Sequence, residues 1–181
     1  MAARGVHFAI STEQRVGLES QADDQERIYF VQDEIEGPWD RDHLQETDKA
    51  WDAIHRCLSE WPADTPYFYP VAAEHGTYAL PEDHGSYPLK LAVLGGRRLQ
   101  ESEYDYFIRL IEPHEVADLV PALKEIDKPA LRARYFKHCK GAWPEYGEDD
   151  FGYTWEYFEM LRDFFERMSG NGRAVIFTAD Q

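Results

Sequence analysis

Residues 149–178 read DDFGYTWEYFEMLRDFFERMSGNGRAVIFT, and this stretch decides the fold class. Phe151, Trp155, Phe158, Leu161, Phe165 and Met168 follow one another at steps of four, three, three, four and three. That is the rhythm of one apolar helix face. Asp149 or Asp150 supplies an N-terminal carboxylate, and Gly170-Asn171-Gly172 supplies the stop. The next run, Ala174-Val175-Ile176-Phe177, is too apolar for a surface tail and reads as a strand within residues 173–178. A long amphipathic helix leading into a buried strand calls for a packed layer of each kind.

The chain before it fills in both layers. Pro113 suits the first turn of a helix whose buried face is Val116, Leu119, Val120, Leu123 and Ile126. Asp127 caps a further short helix carrying Leu131 and Tyr135. Residues 104–111 read as a strand, alternating through Tyr106, Ile108 and Leu110. Gly5-Val6-His7-Phe8-Ala9-Ile10 reads as the first strand, and Ser11 with Gln14 forms a capping box behind it. Ile28, Val31 and Ile35 stand at helical spacing within 22–36, although Ile-Tyr-Phe-Val also has strong strand propensity. Trp51, Ile54, Leu58 and Trp61 share one stripe of a helix over 48–60, which Thr47 or Asp48 can cap. Leu89–Leu94 is a short apolar run ending at Gly95-Gly96. No repeat or linker divides the chain. The expectation is an α+β fold: a single domain over 1–181, with about six helices on a small mixed sheet.

Residues 62–88 stand apart. They hold Pro62, Pro66, Pro70, Pro81 and Pro88, with Tyr67, Phe68, Tyr69, Tyr78 and Tyr87 between them. A loop of this length is commonly a lid or a recognition surface.

The chain has 181 residues, 35 acids and 19 Lys or Arg, for a net charge of −16. Such a surface repels phosphate backbones and anionic membranes, so neither nucleic acid nor a membrane is expected as partner. No run approaches the ~18 apolar residues of a membrane span. The opening Met1–Gly5 leads straight into the first strand without an apolar leader. Two cysteines, Cys57 and Cys139, are too few for a disulfide framework and point to a reducing cytoplasm. The acids cluster. Eleven lie between Gln21 and Asp52, against Arg27, Arg41 and Lys49, and a second group includes Glu145, Glu148, Asp149 and Asp150. They read as a solvated face or as a docking surface for a basic protein.

Reactive constellations are sparse. Asp48, Trp51 and His55 fall at i, i+3 and i+7 of a helix over 48–60, and Asp52 is three residues from His55. A carboxylate orienting an imidazole is a start for acid–base chemistry, but the commoner reading is a capping Asp48, a core Trp51 and a His55 bonded to a backbone carbonyl. His114-Glu115 lacks the second histidine of a zinc-protease motif, since position 118 is Asp118. Gly95-Gly96 before Arg97-Arg98 belongs to no phosphate-binding motif and reads as a turn needing positive φ. No G-x-S-x-G occurs. No metal or cofactor is implied.

Asp48-Lys49-Ala50-Trp51-Asp52-Ala53-Ile54-His55 resembles the D-K-x-W-x-x-[IL]-H segment of the bacterial YfbM-like family, built on a domain of unknown function. The resemblance continues through Val93-Leu94-Gly95-Gly96, Ile111–Val116 and Phe151–Thr178. The 62–88 segment looks longer than that family's link. The resemblance implies an α+β cytoplasmic domain with no reaction to transfer. It also implies a shared position for any site at Asp48, Trp51 and His55 beside Gly95 and Gly96.

Two functions follow as expectations. The first is a non-enzymatic acidic module, with the profile of antitoxin and immunity proteins, presenting Tyr67, Phe68, Tyr69, Tyr78, Tyr87, Asp149 and Asp150 to a basic partner. The second is a small enzyme or sensor with a pocket around Asp48, Trp51, Asp52, His55, Gly95 and Gly96. The oligomeric state is open.

Overall fold

Val175, Phe177 and Ala179 point to one side of the last strand, and Ala174, Ile176 and Thr178 to the other. All six are buried. A strand buried on both faces sits at the centre of a sheet covered twice. A computed structural model of the protein describes residues 4–62, 84–100 and 106–180. Its sheet has five strands: β1 (Gly5–Ile10), β2 (Leu44–Asp48), β3 (Arg97–Arg98), β4 (Tyr106–Ile111) and β5 (Ala174–Asp180). Their spatial order is β2-β1-β5-β4-β3. Every pairing is antiparallel, with Phe8 opposite Ile176 and Ile108 opposite Thr178. The expected small sheet is therefore wholly antiparallel and not mixed.

Six α-helices cover it: α1 (Thr12–Glu19), α2 (Asp24–Val31), α3 (Ala50–Ser59), α4 (Pro113–Lys124), α5 (Lys128–His138) and α6 (Glu148–Ser169). On one face Val6, Phe8, Ile10, Ile108, Leu110 and Ile176 meet Leu18 of α1 and Ile28 and Val31 of α2. On the other, Ala9, Phe107, Ile111, Val175 and Phe177 meet the apolar faces of α3 to α6. Helices thus lie on both sides of the sheet, and α3 to α6 form the thicker layer.

The chemistry of the helix ends matches the sequence in detail. Ser11 Oγ accepts the Gln14 N–H while the Gln14 side chain accepts the Ser11 N–H. Asp127 Oδ1 accepts the Ala130 N–H at 2.8 Å. Residues 24–31 are helical, and a π-helical turn, Gln32–Glu36, extends them, so the strand alternative for Ile28–Val31 is excluded. His114 and Glu115 fill the first turn of α4, where Glu115 caps the Glu112 N–H.

Four local features differ from the sequence reading or add to it. Residues 44–48 form an edge strand that the sequence reading missed, because only Leu44 and Thr47 are buried there. Neither Thr47 nor Asp48 caps α3: Thr47 Oγ1 donates to Gly5 O, and Lys49 occupies the cap position without a side-chain bond. The 89–94 run begins as a 3₁₀ turn, Leu89–Ala92. Gly147, ahead of both Asp149 and Asp150, occupies the N-cap position of α6.

Candidate functional site

The position of α3 buries His55. Every residue from Ala50 to Ser59 except Asp52 is buried, because α3 lies among α5, α6 and the Leu89–Ala92 turn. His55 Nδ1 accepts the backbone N–H of Leu94 at 3.4 Å, and the Trp61 ring lies 6.4 Å away. Burial lowers the His55 pKa to about 3, and the positive charges of Arg56, Arg109 and His84 add to the shift. His55 is thus a buried imidazole whose Nδ1 holds a backbone amide, and burial favours its neutral form.

The other pocket candidates have partners of their own. Asp48 ends β2 in the left-handed region, at φ 42, and its Oδ2 accepts the Tyr153 hydroxyl at 2.9 Å. Arg4 Nε lies 3.5 Å from its other oxygen. Trp51 is buried with its ring 5.7 Å from that of Phe177. Asp52 accepts Arg56 Nε at 2.9 Å. Gly95 and Gly96 do not have positive φ, so that expectation is corrected. Both are required for close approach. A Cβ on Gly95 would fall on the Lys90 carbonyl, and one on Gly96 would lie 2.7 Å from Leu110 O. The expected helical phase from Asp48 to His55 is broken at the left-handed turn, and the structure engages these residues in separate contacts.

The candidate partner surface divides. Tyr67, Phe68, Tyr69 and Tyr78 lie outside the described residues. Tyr87 is 53% exposed, and its hydroxyl donates to Asp118. Asp149 is exposed. Asp150 is turned inward, where it accepts the Tyr135 hydroxyl and Trp143 Nε1. Its burial costs are met by those two donors, so it is a structural carboxylate.

A different surface emerges on α1 and α2. These helices pack closely because Gly17 leaves room for the Phe30 ring, which a Cβ would meet at 2.6 Å. Turning Ile28, Val31 and Ile35 inward turns Tyr29 outward, and it is 58% exposed. Val16 on α1 is 57% exposed. Glu26 and Asp33 stand three before and four after Tyr29, on its side of the helix, and both are exposed. Asp23 and Glu34 are exposed as well. The base within α2, Arg27, is bonded to Asp24 Oδ1 at 3.0 Å and to Gln21 O. The sequence reading did not single out Tyr29. The signal was present in the helical phase of its apolar neighbours.

The chain matches the family model described as a domain of unknown function (DUF1877) over residues 1–178. It is similar to the crystal structure of YfbM from Escherichia coli, a protein of unknown function. The identity is 21% and the TM-score 0.62, with 97% of this chain and 99% of that chain covered. At this identity the likeness concerns the fold. No curated protein matches. The agreement of family model and fold over nearly the whole chain leads to one identification: this protein belongs to the DUF1877 family, the YfbM-like proteins to which its Asp48–His55 segment points.

Proposed function

We propose that the protein is a non-enzymatic binding module that docks a basic protein partner through the outer face of α1 and α2. The observation that carries this reading is Tyr29, an exposed aromatic ring set between the exposed carboxylates of Glu26 and Asp33. Aromatic side chains are favoured anchors in interfaces, and a surrounding field of one sign steers the oppositely charged partner. The net charge of −16 extends that field over the molecule. Val16 adds apolar area beside the ring's helix. The exposed Asp149 and Tyr87 are secondary positions for the same kind of contact. This is the physical profile of antitoxin and immunity proteins.

The test is affinity capture from a lysate of the source organism at low and high salt, with wild type, Tyr29→Ala and Asp33→Lys in parallel. A basic protein retained by wild type at low salt, released at high salt and lost from both variants supports the reading. Capture of the same proteins by all three forms defeats it.

A further inference from the structure

The chain has two cysteines, and folding brings them together from 82 positions apart. Cys57 lies on the inner side of α3, and Cys139 follows the last turn of α5 as its C-cap. Both are fully buried, and their sulfurs are 4.0 Å apart. Both are free thiols. A disulfide needs this separation to close to about 2 Å, so the side chains and the helices that carry them must move together. We propose that Cys57 and Cys139 are a redox-modification site, joined by peroxide into an intramolecular disulfide that staples α3 to α5.

Cys139 is next to surface residues along the chain, although its sulfur is buried. Lys140 and Gly141 beyond it are exposed, and a Cβ on Gly141 would meet nothing within 4 Å. The thiolate of one cysteine attacks one oxygen of hydrogen peroxide, the O–O bond breaks, and a sulfenic acid and hydroxide form. Hydroxide takes up the released proton to give one water. The sulfur of the other cysteine then attacks the sulfenic sulfur, the S–S bond forms, and the S–OH oxygen leaves with that cysteine's proton as a second water. Two thiols lose two electrons and two protons, and the peroxide is reduced to two waters. Contact with Cys57 and burial both push the Cys139 thiol up. The Arg56 guanidinium acts in the opposite sense, favouring the thiolate.

The experiment exposes the folded full-length protein to graded hydrogen peroxide, then quenches, denatures and alkylates it for intact-mass measurement. Wild type is expected about 2 Da lighter and refractory to alkylation, with a peptide containing both cysteines after non-reducing digestion. Its thermal midpoint should rise by roughly 5 °C or more, because the bond closes a long loop. Cys57→Ala and Cys139→Ala each serve as the control that cannot lose this mass. Wild type that accepts two alkyl groups at every peroxide level, that gains oxygen on a single sulfur without the mass loss, or that links only between molecules overturns the proposal.

Discussion

The hydroxyl of Tyr153 donates to Asp48 Oδ2 at 2.9 Å and accepts the Lys49 N–H at 3.3 Å, tying the end of the edge strand to the long helix. One phenol thus holds both the carboxylate and the amide at the entry to α3. Tyr153→Phe removes both bonds without changing the ring. It should cost about 1.5–3 kcal/mol in urea unfolding, the range for a bond to a charged group. An unchanged midpoint would show that the turn at Asp48 holds itself.

That contact also explains what was readable beforehand. The caps at Ser11–Gln14 and Asp127 were legible because each is encoded within four residues. The helical spacing from Asp48 to His55 does not hold, because Asp48 ends β2 at φ 42, ahead of the helix. The edge strand was invisible since Gln45, Glu46 and Asp48 are not buried. The carboxylate of Asp150 looked like surface charge, and only tertiary structure brings Tyr135 and Trp143 to it.

Phe158 and Trp155 share the predicted stripe of α6, but only Phe158 is fully buried. Trp155 is partly buried, beside Lys128 and Arg162. Phe158→Ala should therefore cost ~3–5 kcal/mol and Trp155→Ala distinctly less. Denaturant titration of both variants checks the order.

Two glycines should respond oppositely to alanine. Gly95→Ala forces a methyl group onto the Lys90 carbonyl and should destabilise by ~2 kcal/mol or more. Gly152 lies in α6 with open space around it, and Gly152→Ala should stabilise by ~0.5–1 kcal/mol. Thermal midpoints moving in opposite directions are the expected result.

His7 is buried among Phe164, Phe165 and Phe177 and donates Nε2–H to Ala92 O at 2.8 Å. Burial lowers its pKa from 6.5 to about 4, outweighing that hydrogen bond. The unfolded chain therefore binds more protons between those values. The stabilisation is complete above pH 6.5 and is lost as pH falls towards 4, by roughly 3 kcal/mol for His7. His55 acts in the same direction. Stability measured across this range should fall less steeply for His7→Gln, which keeps a donor and does not titrate.

The docking face is tested most directly by photo-crosslinking inside the source organism, with the reactive group placed at position 29 and, separately, at the exposed Asp163 of α6. The account predicts a basic protein crosslinked from position 29, absent from position 163, and lost when Glu26 and Asp33 are both changed to Lys. Equal crosslinking from the two positions, or a position-29 partner that survives the charge reversal, would contradict it.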